Sequence, residues 1–573
     1  MNNNWKNKYQ EIFLDSWHPF LWIASLIFLV YSATLFFNIV YLDDNVLVVD
    51  HYAFNKNLGN IPAAFEEDIF RTPQEKGSFY RPMLRLTFML DAQLGQGAII
   101  FMSHLTNLLL HILAACLLFI LLIKLKIKKE TALVFSLIFG IHPLTAGTVA
   151  FISGRNDSLL AVFIFPALWF LVDFLQTYRR KALFWHLTFF TLALLTKETA
   201  MVVPLICAAY AVIFLGIKRI RNNYKQYLYL IIGWAGIFVM WLLIRSAVLN
   251  NFIGNSDYHI PLSIYKNLPV LIPTVGKIFL PFDLSVFPIL QDMAMLYGII
   301  ALVLLLTWLI FSQNKNYRLI IFGSAWFGLF LLPTLITPMD TTPNFSESRI
   351  YLPMLGFIFI FLGMGRIRFF NFINKKIILI LSLLLIIVFS SITIYRNKYY
   401  KNKVNFWRNA VETSPNFAFN HNNLGAMYYL DDNFDKAEVE FEKALALNSN
   451  EKMAHNNLGL IYLDRKEWKK AESEFKKELE INPGYDLALF NSGLLYYQIG
   501  KKDEAENFWK KTLEVNPNHP DAWRNLAILY YEKKDLAQAV EFAKEAYLRG
   551  VQLPSELVKL LEAPIAPSVL LRK

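Results

Sequence analysis

Cysteine is almost absent from this sequence, with two in 573 residues. Cys116 and Cys207 both lie in apolar segments, so the chain offers neither an evident disulfide framework nor the paired spacing of a zinc site. Charged residues are also few, at 18%, whereas hydrophobic residues make up 55% and aromatic residues 16%. This composition, with a mean hydropathy of +0.36, excludes an ordinary soluble protein and indicates a polytopic membrane protein.

The N-terminal region lacks a signal-peptide cleavage motif. Lys6 and Lys8 precede an apolar run from Pro19 to Tyr41, which is about twice as long as the apolar core of a signal peptide. No small-residue cleavage site follows the run. We therefore expect an uncleaved first membrane span.

Further apolar stretches are long enough to cross a membrane. The stretch 182–196 is short, but the alternation of charges in the loops requires a crossing there. With the first span, the sequence predicts an all-α membrane bundle of eleven crossings, the others being 100–122, 131–150, 158–178, 182–196, 199–217, 226–249, 293–311, 319–338, 351–364 and 377–395.

A net charge of +11 does not indicate a nucleic-acid partner, because the basic residues cluster in short loops between apolar stretches. In the eleven-span prediction these loops share the side of the N-terminus, which is then cytoplasmic. The proline-rich segment 263–287 must stay out of the membrane, and we expect a broken helix at the outer interface. The basic loops are Lys124/Lys126/Lys128/Lys129, Arg179/Arg180/Lys181, Lys218/Arg219/Arg221/Lys225, Lys315/Arg318 and Arg366/Arg368/Lys375/Lys376.

Acidic and basic residues also stand at span ends on the outer side. Asp43 and Asp44 close the first apolar run. Two adjacent carboxylates there are costly to bury and can accept a proton, although acidic residues can also simply mark the water interface. We expect the pair to converge on one cavity with the other polar residues of this side: Arg81, Arg155, Asp157, Lys197, Glu198 and Arg349.

Histidines form a third group of polar residues. His104 and His111 are seven residues apart, on one helical face, and His142 precedes a proline at a span end. Since no Asp, Glu or Cys cluster at ligand spacing accompanies them, we favour structural hydrogen bonding over metal ligation and assign no metal site.

After Tyr395 the sequence becomes polar and repeats every 34 residues. Glycine recurs at Gly425, Gly459 and Gly493, and tyrosine recurs three residues later. This pattern predicts four tetratricopeptide repeats from Ala418 to about Leu553. We expect a membrane domain over 1–400 and a repeat domain over 401–573, in which 403–415 caps the start and 554–573 forms a capping tail.

One asparagine recurs in all four repeats, on the first helix of each: Asn423, Asn457, Asn491 and Asn525. A side-chain amide can both donate and accept, so a row of them could hold an extended acceptor peptide. The alternative is that these asparagines only brace neighbouring helices.

Seven short motifs follow one another along the chain: Tyr41-Leu-Asp-Asp, Tyr80-Arg-Pro-Met-Leu, His104 to His111, His142-Pro-Leu, Ile152 to Asp157, Thr196-Lys-Glu and Tyr351-Leu-Pro. In this order they resemble the transmembrane and tetratricopeptide-repeat O-mannosyltransferases, which are GT-C glycosyltransferases, and the resemblance covers nearly the whole chain. One departure is Glu347-Ser-Arg349, where the acid and the arginine would be expected side by side.

The resemblance implies a polyprenyl-phosphate sugar as donor. An inverting transfer needs a base for the acceptor hydroxyl, for which we choose Asp43, with Asp44 orienting it or sharing the proton. Which of the two is the base stays open. Cations must hold the departing phosphate, although Lys197 and Arg349 could instead anchor span ends. The candidates for the phosphate are Arg81, Arg155, Lys197 and Arg349, supported by His104, His142, Glu198 and Asp157, the last of these fixing Arg155.

We therefore expect a membrane enzyme that transfers a sugar, with mannose the expected one, to Ser or Thr of proteins on the extracytoplasmic side. The expected partners are membrane lipid, the lipid-linked donor and a polypeptide at the repeats, without nucleic acid. No cofactor is required by the sequence, and metal dependence stays open. The expected location is a bacterial inner (plasma) membrane. The alternatives are a glycan or lipid acceptor, and a non-catalytic scaffold in which the membrane part only anchors the repeats.

Overall fold

The computed structural model describes residues 12–70, 79–249, 260–336, 345–365 and 375–562. Within these ranges all regular elements are helices. The described residues divide into two compact units, a membrane unit that ends at Ser414 and a repeat unit that begins at Pro415. The predicted basic residues Lys6, Lys8, Arg366 and Arg368 lie outside the described residues, as do the last eleven residues of the predicted capping tail.

Nineteen α-helices form the described part of the membrane unit. They are α1 His18–Tyr31, α2 Tyr52–Lys56, α3 Ala63–Glu66, α4 Pro82–Gly95, α5 Ile99–Lys124, α6 Lys129–Ile141, α7 Ala146–Val149, α8 Arg155–Thr177, α9 Arg180–Leu194, α10 Val203–Tyr210, α11 Ile217–Asn222, α12 Tyr224–Leu249, α13 Ile260–Asn267, α14 Leu271–Phe279, α15 Met295–Phe311, α16 Tyr317–Ile336, α17 Leu355–Gly363, α18 Lys375–Asn397 and α19 Lys403–Thr413. Short 3-10 and π turns extend several of them.

Seven helices among the described residues are long and apolar enough to cross a membrane: His18–Phe36, Ile99–Lys124, Ile152–Thr177, Glu198–Leu215, Tyr224–Leu249, Tyr317–Ile336 and Lys376–Tyr400. An eighth crossing results if α6 and Pro143–Val149, which are bent by 50°, form one span. The chain is therefore an integral membrane protein. The three other predicted crossings coincide with the shorter helices α9, α15 and α17, so the count of eleven stays a prediction.

The proline-rich segment is a broken helix, as predicted. Helix α13 ends at Asn267, a 3-10 turn covers Leu268–Val270, and α14 starts at Leu271. Pro269 stands in the first turn of the 3-10 segment, where its missing N–H costs no helical hydrogen bond. Lys277, on α14, is buried, with 4% of its surface exposed.

A buried ion network joins three distant segments of the membrane unit. Glu347 accepts hydrogen bonds from Lys277 Nζ at 2.7 Å and from the backbone N–H of Ser285 at 2.9 Å, and it also pairs with the Arg396 guanidinium. Burial alone would raise the pKa of Glu347, but the charges of Arg396 and Lys277 hold it below its usual value. The network fixes α14 and α18 to the turn that carries Arg349.

Helix α19 belongs to the membrane unit and supports the first loop, which connects α1 to α2 and carries Asp43 and Asp44. The Trp407 indole N–H donates to the Val40 carbonyl at 3.0 Å, and Asn409 Oδ1 accepts from the backbone N–H of Val286 at 3.1 Å. The boundary between the compact units therefore follows this helix, whereas the sequence-based boundary at residue 400 precedes it.

The repeat unit consists of paired helices in the predicted register. An added Cβ on Gly459 would lie 2.6 Å from the Phe475 ring, and one on Gly493 would lie 2.4 Å from the Trp509 ring. The recurring glycine is thus the residue that lets the two helices of a repeat pack closely. The helices are α20 Ala418–Tyr429, α21 Phe434–Leu447, α22 Ala454–Asp464, α23 Trp468–Ile481, α24 Asp486–Gln498, α25 Lys502–Val515, α26 Pro520–Glu532 and α27 Leu536–Leu548, followed by α28 Ser555–Glu562 in the predicted tail.

Replacing Glu347 tests the importance of the ion network. Glu347→Ala leaves Lys277 and Arg396 buried without their counter-charge, so we expect the unfolding free energy to fall by about 3–5 kcal/mol. Thermal unfolding of the purified protein measures the change. The matched control is Glu412→Ala at an exposed carboxylate of α19, which should leave the unfolding midpoint unchanged. Equal midpoints for the two variants would contradict a stabilising role of the network.

Candidate active site in the membrane unit

The first loop holds the carboxylates of Asp43 and Asp44 in different ways. Asp44 Oδ2 accepts from the backbone N–H of Val40 at 2.7 Å, and its Oδ1 accepts from the N–H groups of Leu42 at 3.3 Å and Asn45 at 3.1 Å. Tyr41 has a φ of 59°, a left-handed conformation that costs energy in a residue with a side chain. Asp44 offsets this cost by closing the turn, so its carboxylate is committed to the backbone.

Asp43 is the carboxylate that stays available. Its side chain is half-buried and, among the described residues, makes no ion pair or hydrogen bond. Burial and, secondarily, the charge of Asp44 raise the pKa of Asp43 to about 6, against a lowering by Arg81. A carboxylate with this pKa is largely ionised at neutral pH and is a stronger base than an ordinary aspartate.

Arg81 connects this loop to a polar cavity. Its charge acts on Asp43, and its side chain lines a cavity of about 180 Å³. Arg81 Nη2 also donates to Glu198 Oε2 at 2.9 Å. The Leu195 carbonyl accepts from the backbone N–H of Met83 at 3.1 Å, which fixes the start of α4 to the segment that carries Lys197 and Glu198.

Five of the predicted residues line this cavity: Arg81, Asp157, Lys197, Glu198 and Arg349. Lys197 Nζ lies 2.6 Å from Asp157 Oδ1 and 3.0 Å from Asn156 Oδ1. The guanidinium of Arg349 forms no ion pair or hydrogen bond within the described ranges, and burial lowers its pKa from the usual arginine value. The described lining of the cavity thus has three cations and two carboxylates, which leaves one positive charge for an anionic ligand.

Arg155 lies elsewhere, which corrects the expected set of phosphate ligands. It is fully buried and bound by Asp91 at 2.6 Å, Asn107 at 2.7 Å and the Ser103 carbonyl at 2.8 Å. The expectation that Asp157 fixes Arg155 is also wrong, because Asp157 pairs with Lys197. Both differences have one cause: residues two apart on α8 point to different sides of the helix. Arg155 is a structural residue.

The predicted supporting histidines lie outside the cavity. His142 Nε2 donates to the Ile278 carbonyl at 3.0 Å, while its Nδ1 accepts from the N–H of Leu144 at 3.2 Å. His104 is buried with its ring edge-on to Phe37, at a centroid distance of 6.3 Å. His142 therefore has a structural place in the fold, and His104 packs close to the first loop.

Sequence reasoning missed Glu347 as a member of the ion network. The E-S-R stretch was the signal, because its acid and its arginine are two residues apart. In the structure Glu347 turns toward Lys277 and Arg396, and Arg349 turns toward the cavity. Because Glu347 and Arg349 are two residues apart, Glu347 can join the ion network while the unpaired Arg349 lines the cavity.

Two of the four recurring asparagines make contacts between repeats. Asn457 Nδ2 donates to Asn422 Oδ1 at 3.1 Å, and Asn491 Nδ2 donates to Asn456 Oδ1 at 2.9 Å. Asn423 donates to the Phe419 carbonyl of its own helix at 2.8 Å, and Asn525 is half-buried. For Asn457 and Asn491 these bonds join consecutive repeats, as the bracing alternative requires.

Comparison with known proteins gives two family matches and several relatives. Residues 83–242 match the family described as dolichyl-phosphate-mannose-protein mannosyltransferase, and residues 430–548 match the middle TPR-like domain of cilia and flagella-associated protein 70. A human protein O-mannosyl-transferase, TMTC3, is 28% identical over 33% of this chain and 21% of its own length. A Caenorhabditis elegans protein O-mannosyl-transferase is 24% identical over 60% of this chain and 50% of its own length.

The chain therefore spans about a fifth to a half of the length of these curated relatives. Among solved structures, Pseudomonas aeruginosa pilF is 26% identical, with 28% of this chain and 75% of that chain covered and a TM-score of 0.26. YrrB, described as a TPR protein, is 24% identical, with 28% and 81% covered and a TM-score of 0.23. The two family matches and the relatives confirm the resemblance of this chain to the transmembrane and tetratricopeptide-repeat O-mannosyltransferases.

Proposed function

We propose that this protein is an inverting membrane glycosyltransferase that moves mannose from a polyprenyl-phosphate donor to Ser or Thr of a protein acceptor. The observation that carries the proposal is the position of Arg81. Its charge acts on the available carboxylate of Asp43, and its side chain lines the cavity that has a surplus cation. A base next to an anion site is the arrangement that glycosyl transfer from a lipid phosphate requires.

In this proposal Asp43 is the general base. The acceptor hydroxyl oxygen attacks the anomeric carbon, and its proton passes to the Asp43 carboxylate. The bond between the anomeric carbon and the phosphate oxygen breaks, and the electron pair leaves with the phosphate. Asp44 is a positioning residue, since its three backbone hydrogen bonds fix the turn that presents Asp43.

The cavity cations stabilise the departing phosphate. Lys197 and Arg81 are already paired with carboxylates, whereas Arg349 has its guanidinium available. Arg349 is therefore the principal phosphate ligand, and Lys197 and Arg81 add to the positive potential. A volume of about 180 Å³ is below the roughly 300–1,000 Å³ of pockets that enclose a whole ligand, so this cavity takes the charged part of the donor.

The repeat unit is proposed to bind the protein acceptor on the extracytoplasmic side of the membrane. The orientation rests on the basic loops of the predicted cytoplasmic side. Tetratricopeptide repeats offer an extended surface for a polypeptide. Asn457 and Asn491 already form hydrogen bonds between repeats. We therefore assign acceptor binding to the surface of the repeats, but not to these two side chains.

Asp43→Asn tests the base. The variant keeps the shape of the side chain but cannot take a proton, so turnover should fall roughly a hundredfold or more while donor binding persists. The assay uses purified protein, labelled polyprenyl-phosphate mannose and a Ser/Thr peptide. Asp50→Asn, an exposed aspartate of the same loop, is the matched control and should transfer at the wild-type rate. Full activity of Asp43→Asn would exclude Asp43 as the base. If the wild-type protein transfers mannose without the peptide, the acceptor is a glycan or a lipid.

Arg349→Ala and Arg155→Ala separate donor binding from folding. Removing the unpaired guanidinium of Arg349 should reduce kcat/KM roughly 10- to 150-fold, which corresponds to a loss of about 1.5–3 kcal/mol of transition-state stabilisation. The unfolding midpoint should not change. Arg155→Ala should instead lower the midpoint, because it leaves Asp91 buried without its partner. A stable Arg155→Ala protein with weakened donor binding would reverse these two assignments.

A further inference from the structure

A second cavity lies at the opposite end of the membrane unit from the candidate active site. Helix α8 contributes Asp157 to the active-site cavity and Trp169 to the second cavity. These residues are twelve positions apart on one helix, which corresponds to about 18 Å along its axis. The second cavity has a volume of about 490 Å³, which lies within the roughly 300–1,000 Å³ that is usual for ligand pockets.

The lining of this cavity combines apolar walls with basic residues. Phe20 of α1 and Phe119, Ile120 and Ile123 of α5 provide apolar surface, and Lys124 and Lys129 line the same cavity. Among the described residues that line the cavity there is no carboxylate. A ligand that matches it has an apolar chain and an anionic head.

The two lysines differ in their availability. Lys124 Nζ lies 2.8 Å from Asp173 Oδ1 and stands over the Trp169 ring at 4.4 Å from its centroid, so its charge is already compensated. Lys129 is exposed and has no ion pair or hydrogen bond from its side chain in the part of the chain that the structure describes. The surplus positive charge is therefore at Lys129.

Tryptophan side chains mark the level of this cavity relative to a membrane. Trp17, just before α1, is 58% exposed, and Trp22 and Trp185, near the starts of α1 and α9, are 38% and 37% exposed. Exposed tryptophans at helix ends are typical of the boundary between acyl chains and headgroups. Lys126 and Lys128 also stand in the connection between α5 and α6. The cavity thus lies where lipid phosphates would be found.

We propose that this second cavity binds an anionic phospholipid of the surrounding bilayer, with its phosphate at Lys129 and one acyl chain against Phe20, Phe119 and Ile120. The site is separate from the proposed donor site, because the two cavities lie near opposite ends of α8. The apolar wall of the second cavity includes Phe20 of α1. Binding there ties α1, α5 and α6 together at the interface. The proposal does not depend on the transfer reaction.

The test compares lipid binding by the full-length protein and its variants in detergent, by native mass spectrometry with added phosphatidylglycerol or phosphatidylcholine. Phosphatidylglycerol should bind in preference, and Lys129→Ala should weaken its binding roughly tenfold through the lost charge-assisted contact. Lys128→Ala, at an exposed lysine outside the lining, is the matched control and should bind as the wild type does. Ile120→Trp, which fills the apolar wall at a partly exposed position, should weaken binding of both lipids.

Several outcomes overturn the proposal. Equal effects of Lys129→Ala and Lys128→Ala would mean a general attraction of the basic loop for anionic lipid. Displacement of the lipid by glycerol phosphate would mean a site for a free phosphate, and preferential binding of polyprenyl phosphate would mean a site for the donor lipid. In detergent without added lipid, Lys129→Ala should transfer at the wild-type rate. Loss of transfer in Asp43→Asn therefore tests the proposed function, and loss of lipid binding in Lys129→Ala tests the lipid site.

Discussion

The pairing of buried charge is the constraint on which the rest of this membrane unit depends. A charge taken out of water costs several kcal/mol, and only a well-placed partner offsets that cost. Arg155 is bound by Asp91, Lys197 by Asp157, and Glu347 by both Lys277 and Arg396. After these pairings, Asp43 and Arg349 are the charged groups near the cavity whose side chains have no bonded partner among the described residues. The proposed chemistry is assigned to these two groups.

The ion network of Glu347 also determines where Arg349 stands. Glu347 fixes the turn that directs Arg349 to the cavity. The first loop is fixed separately, because Trp407 holds the Val40 carbonyl while Asp44 holds the Val40 N–H. Structural acids and tryptophan thus fix the backbone on both sides of the site, and the reactive carboxylate and guanidinium remain unengaged.

Sequence reasoning reached the parts of this structure that depend on local rules. The 34-residue repeat was predictable because Gly459 must admit the Phe475 ring. The five charged residues of the cavity lining were predictable because charge collects at span ends. The ion-pair partner of each buried charged residue was not predictable from the sequence. Whether Asp157 meets Arg155 or Lys197 depends on the rotation of α8, and the partners of Glu347 come from helices far away in sequence. The place of α19 in the membrane unit also depends on tertiary contacts of Trp407.

The pH dependence of turnover at saturating donor tests the central claim most directly, because it reports the protonation state of the base. With the pKa of Asp43 raised to about 6, the account predicts a rate that rises about tenfold per pH unit below 6 and becomes level above it. The rising limb should disappear in Asp43→Asn. A rate that is constant from pH 5 to 8, or a limb that persists unchanged in Asp43→Asn, would contradict the assignment of Asp43 as the base.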